Sequence, residues 1–145
     1  RLSPEEVISS LYHTEKWKAE MAKNPVAGAF SPQFESYDAG TGHMICSYPT
    51  LEEFKNPISV VHGGIIAGML DTAMGSLAGC AAGRFAPTIS LETKYLRPVP
   101  TGGRLMVEAR LTRCAKKIIF AACEAWMEGS RDDLMATAEG TYYVV

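Results

Sequence analysis

From residue 87 onward, apolar and polar positions alternate in blocks. Ile89, Leu91, Thr93 and Tyr95 share one parity, and Arg97-Pro98 closes the run. Leu105, Val107, Ala109 and Leu111 alternate with Met106, Glu108, Arg110 and Thr112. Ile119, Ala121, Cys123, Ala125 and Met127 repeat the pattern, followed by Leu134, Ala136, Ala138, Gly140, Tyr142 and Val144. Turn signals at Thr101-Gly102-Gly103, at Ala115-Lys116 and from Gly129 to Asp133 separate the runs. Four successive strands in a curved antiparallel meander are predicted. Upstream, Phe34 to Tyr48 reads as a hairpin turning at Asp38-Ala39-Gly40-Thr41-Gly42, with Met44, Cys46 and Tyr48 on one face.

Between the hairpin and these strands the period changes. From Gly64, Ile65, Ile66, Met69, Leu70, Ala73, Met74 and Leu77 form a bulky side of a helix. Gly64, Gly68, Thr72, Gly75, Ser76 and Gly79 form a small side that another backbone can approach closely. A helix with no charged face is expected to be buried all round, inside a wrapped sheet. The N-terminus adds helical signals. Ser3, Pro4 and Glu6 make a capped start ahead of Val7, Ile8, Leu11 and Tyr12, and Thr14 to Lys23 suggests a second short helix ended by Asn24-Pro25. The fold class is therefore α+β: one domain over residues 1–145, with a helical extension over residues 1–30, and one long sheet around one central helix.

Composition narrows the function. The chain has 145 residues and a formal net charge of -2, which gives no bulk attraction to nucleic acid. The apolar helix approaches membrane-spanning length, but Asp71 at its middle and its many glycines oppose a membrane reading. Cys46, Cys80, Cys114 and Cys123 lack metal-ligand spacing and read as core residues in a reducing compartment, so a cytoplasmic protein without bound metal is expected.

Asp71 is the lone charged residue between Lys55 and Arg84. A carboxylate there is either satisfied by hydroxyls and buried water, or held in a partly desolvated pocket as a general base or nucleophile. His62-Gly63-Gly64 lies at the helix start, where N–H groups are unpaired and a ligand can come close to the backbone. Such a site suits a carbonyl oxygen gaining negative charge. Gly63 and Asp71 are about 12 Å apart along a helix that rises 1.5 Å per residue, too far to meet one carbonyl within one chain. If both take part, two copies must meet with helices side by side, forming a symmetric dimer with two composite sites.

Asn56, then His62-Gly63-Gly64, then Leu70-Asp71-Thr72-Ala73 resembles the signature of the PaaI-type hotdog acyl-CoA thioesterases, and Thr88-Ile89-Ser90 with Tyr95-Leu96-Arg97-Pro98 resembles their next strand. The resemblance covers roughly residues 34–145. It implies a hotdog fold, a homodimer at minimum with dimers paired into a homotetramer, and an acyl-CoA substrate. A pocket lined from Met69, Met74 and Leu77 is expected to suit an aromatic or medium-chain acyl group. No cofactor is implied beyond the coenzyme A of the substrate. Asp71 would be the base or nucleophile, and the Gly63 amide would polarise the thioester carbonyl. Asn56 would orient water or the carbonyl, His62 would support the turn, and Thr88 would help position water. Gly64, Arg97, Lys116 and Lys117 would bind the coenzyme A portion. Ser59 departs from the pattern, since many members carry Gly three residues after the Asn.

Rival chemistries find less support. Gly75-Ser76-Leu77-Ala78-Gly79 puts its serine inside the helix, unlike a nucleophile elbow. His62 at the loop lacks the proline-bearing motif of a hotdog dehydratase. The alternative from another class is a non-catalytic hotdog module that binds acyl-CoA or a small aromatic ligand.

Overall fold

The computed structural model describes Lys23 and residues 25–145. The helix expected from Ser3, and that expected over Thr14 to Lys23 apart from its last residue, lie outside the described residues. The first described element is a short helix, α1 (Pro25–Phe30). Six strands follow: β1 (Gln33–Asp38), β2 (His43–Pro49), β3 (Thr88–Tyr95), β4 (Arg104–Cys114), β5 (Ile118–Met127) and β6 (Leu134–Tyr143). The central helix α2 (Gly63–Ala82) runs for 20 residues between β2 and β3.

The strands form one antiparallel sheet in the order β1-β2-β4-β5-β6-β3, with α2 packed on it: the hotdog arrangement. One expectation is corrected. Only β4, β5 and β6 form a meander, because β3 pairs with β6 at the far edge rather than with β4. β2 already holds the other side of β4, so the chain crosses along α2 and enters the sheet at the opposite edge.

The inner face of the sheet carries small side chains at its centre: Ala109, Ala121, Cys123, Ala125, Ala136 and Ala138, all buried. They leave depth for Met69, Leu70, Met74 and Leu77 of α2 to pack to interior density. Phe30 of α1 closes this core, meeting Tyr48 and Phe54 edge-on, and its ring takes the place a Cβ would need at Gly68.

A second expectation also changes. α2 is not sealed all round, since the sheet wraps only its bulky side. Gly64 is exposed, and Gly68, Asp71, Thr72, Gly75, Ser76 and Gly79 are only partly buried. Length and composition alone would let α2 cross a membrane, but its bulky side is the protein's own core.

β3 also departs from strict alternation. Thr88 pairs with Tyr142 and Ser90 with Thr141, so Ile89 is an extra, bulged residue, 53% exposed. Thr88 and Tyr95 are an odd number of residues apart, yet both hydroxyls reach α2. The bulge turns Thr88 inward.

Candidate active site

The site has two parts, one at each end of the first half of α2. His62 caps the helix with its backbone extended (φ −59°, ψ 133°), and its Nδ1 accepts a hydrogen bond from the Gly64 N–H at 3.2 Å. Its carbonyl accepts from the N–H groups of Ile65 and Ile66. The Gly64 N–H is thus taken up by the His62 ring. Among the described residues the Gly63 N–H has no partner, and it points along the positive end of the helix dipole. From the end of β3, the Tyr95 hydroxyl donates to the Gly63 carbonyl at 2.7 Å.

The loop into this helix start is shaped by Asn56. Its Oδ1 accepts from the N–H groups of Ile58 (3.1 Å) and Val60 (3.3 Å), and Lys55 bridges to Val61 to close the loop. Only the side-chain NH2 of Asn56 is left without a partner among the described residues. Ser59 adopts φ +65°, the left-handed conformation that glycine takes freely and a side chain resists.

Asp71 lies two turns further on, half-buried on the open side of α2. Its Oδ1 accepts from the Thr88 hydroxyl at 2.7 Å and the Tyr142 hydroxyl at 3.0 Å. Its Oδ2 has no hydrogen-bond partner among the described residues. Burial, and then the adjacent Asp71 carboxylate, push the Tyr142 hydroxyl well above the usual phenol range, so it stays protonated and donates. Asp71 sits by the start of β3 and Gly63 by its end. Within one chain the two groups do not converge.

Residues 59–133 match the sequence model of the thioesterase superfamily. That is just over half the chain.

The chain belongs to the thioesterase superfamily.

Individual relatives agree. A protein of Archaeoglobus fulgidus, provisionally named an esterase, is 32% identical over 117 residues, spanning 77% of this chain and 74% of its own length. Acyl-coenzyme A thioesterase THEM4 of Xenopus laevis is 27% identical over 105 residues. That match takes in 72% of this chain but only 46% of the frog protein, so this chain corresponds to about half of it. A phenylacetic acid degradation-related protein of Ralstonia eutropha superposes with a TM-score of 0.74 at 30% identity, covering 83% of this chain and 89% of the other.

For a thioesterase-superfamily chain, the structure brings Thr88 onto Asp71 and His62 onto the helix start with Gly63. It does not bring together the basic residues. Arg97, at the end of β3, pairs with Asp133 at 3.1 Å, whereas Lys116 and Lys117 lie in the β4–β5 turn beside the end of β6. Ile118 pairs with Tyr143 and Arg97 binds Met135, so at about 3.3 Å per residue these groups are roughly 25 Å apart. One chain's Arg97 and lysines cannot share a phosphate. Among the described residues no group of three or more His, Cys, Asp or Glu could hold a metal.

Two contacts were not legible as site residues. Tyr142 and Tyr95 both have the inward parity of their strands, which reads as core. The available signal was Gly140, two residues before Tyr142 on the same face, where a Cβ would come within 2.7 Å of the Tyr142 ring. A glycine in mid-strand marks a close approach.

Proposed function

We propose that this chain hydrolyses a thioester of coenzyme A with an aromatic or medium-chain acyl group, at sites shared between two copies. One observation carries the reading: the lone carboxylate of an apolar helix, Asp71, is held through Oδ1, while Oδ2, on the open side of α2, has no partner among the described residues. The half-buried position of Asp71 leaves that oxygen open to a water or a substrate.

As general base, Oδ2 takes a proton from water while the water oxygen adds to the thioester carbonyl. The C–S bond then breaks and the proton passes to the departing thiolate, giving a carboxylic acid and a thiol. As nucleophile, Oδ2 itself adds, the thiolate leaves, and water hydrolyses the resulting anhydride. In either route the Gly63 N–H stabilises the oxyanion, His62 holds the turn that presents it, and the Asn56 NH2 orients water or the carbonyl. Thr88 contributes by bonding Asp71 rather than water.

Two copies placed with their α2 helices side by side and antiparallel bring the Gly63 of one to the Asp71 of the other. The same arrangement carries the Arg97 of one toward Lys116 and Lys117 of the other, which makes a shared coenzyme A phosphate site reasonable only in the dimer. The exposed apolar residues Phe85, Ile89 and Tyr95, along the free edge of β3, suit burial in that contact. Pairing of dimers into a homotetramer, a cytoplasmic location and the lack of any cofactor beyond the coenzyme A moiety belong to the same proposal. The four free cysteines are in keeping with a reducing compartment.

The test is a panel of acyl- and aryl-CoA thioesters with detection of the released thiol. Turnover by the wild type, lost in a folded Asp71→Ala variant, is the expected result. Ligand binding with no turnover across the panel would overturn it in favour of the non-catalytic module.

A further inference from the structure

The carboxylate of an aspartate is free to turn about its last torsion, whose preference is broad and roughly two-fold. In this chain that freedom is removed from one side only. Thr88 and Tyr142 both donate to Oδ1, at 2.7 and 3.0 Å, and the Tyr142 hydroxyl also lies 3.3 Å from the Asp71 carbonyl oxygen. Thr88 and Tyr142 are paired neighbours across β3 and β6, and the Ile89 bulge beside them turns Thr88 toward the helix.

We propose that Tyr142 is a positioning residue for Asp71, fixing the carboxylate through Oδ1 so that Oδ2 is the oxygen that acts on the thioester. This rests on the reading of Asp71 given above and names the residue that orients it.

The ring of Tyr142 has little room to do otherwise. It is fully buried, and it occupies a slot cut by two glycines. A Cβ at Gly75 on α2 would stand 3.3 Å from the ring, and one at Gly140 on β6 would stand 2.7 Å from it. A glycine in a helix interior and one in a strand interior each cost stability on their own relative to alanine. Both lie where the ring passes between helix and sheet. The hydroxyl is delivered to a charged oxygen rather than to a neutral backbone carbonyl alone, and its raised pKa makes it a donor across the working pH range.

Tyr142→Phe keeps the ring and removes the donor. The expected result is a folded variant whose kcat falls about tenfold or more with KM little changed, since misplacing a reacting group acts on the chemical step. Thr88→Val does the same in part, and the double variant loses more than either. Thr88→Ser, which keeps a hydroxyl, retains most of the activity. An unchanged kcat in Tyr142→Phe, with Asp71→Asn inactive, would overturn the positioning role while leaving the thioesterase reading intact. If no wild-type turnover is found, that reading falls, and carbon-13 NMR of the Asp71 carboxyl decides the positioning role alone. A carboxyl resonance displaced in Tyr142→Phe supports it, and an unmoved one overturns it.

Discussion

Tyr95 holds Gly63 by two contacts: its hydroxyl donates to the Gly63 carbonyl at 2.7 Å, and its ring lies 3.4 Å from where a Cβ would stand. The side of Gly63 that remains open is its N–H. Because Gly63 is the first residue of α2 and His62 before it is extended, proline can replace it without breaking the helix. We expect Gly63→Pro to fold normally and lose kcat by about 10²–10³, the usual cost of one oxyanion donor. Gly63→Ala, with only an ordinary contact to Tyr95, keeps its N–H and most of its activity. Steady-state kinetics beside circular dichroism compare the two, and equal losses would sink the assignment of the N–H.

Mixing two inactive variants tests the shared site. Asp71→Asn and Gly63→Pro subunits, unfolded and refolded together, form mixed dimers in which one of the two sites has both groups intact. With random pairing, about a quarter of wild-type activity returns. No recovery from a mixture shown to have exchanged subunits would mean that each chain supplies its whole site.

Alkaline pH is expected to destabilise the fold. Burial pushes the Cys46 and Cys123 thiols up to about 12 and the Cys80 thiol to about 11, and burial also raises the Tyr142 hydroxyl. In each case the neutral form is favoured in the folded state. That stability is fully present below the thiols' unfolded value of 9.0 and is lost as pH rises from there through the folded values. Melting temperature measured from pH 8 to 11 should fall steadily above pH 9. In native protein at pH 8 a thiol reagent should label exposed Cys114 first and reach Cys46 and Cys123 only on unfolding.

Ser59 adopts a backbone conformation that glycine would take without strain. Ser59→Gly is expected to be at least as stable as the wild type. Ser59→Val, branched at Cβ, should lose about 1–2 kcal/mol. Chemical denaturation of the two variants measures the difference, and a stable Ser59→Val would show that the loop relaxes.

Much of this was legible in the residues because it is local. The hairpin at Asp38 to Gly42, the long helix with Asp71 at its middle, and the inward parity of β4, β5 and β6 follow from period and turn chemistry. The separation of Gly63 from Asp71 needed only the helix rise. What the sequence hid is non-local. Nothing in the alternation of β3 says that it joins β6 rather than β4. Tyr142 looked like core because it is core, and its hydroxyl acquires a partner only when α2 lies across β6. The inward turn of Thr88 depends on one unpaired residue, which no propensity announces.

That extra residue, Ile89, contributes no hydrogen bond to the carboxylate and half of its surface faces outward. Its contribution is to the count. Drawn into the ladder opposite Tyr142, Ile89 would put Thr88 on the far side of the sheet and leave Asp71 with one donor, although every group that touches Asp71 would still be encoded. The orientation of this carboxylate is thus written partly in the register of a strand, and a shift that took Ile89 into the ladder should act on the chemistry as strongly as replacing a side chain.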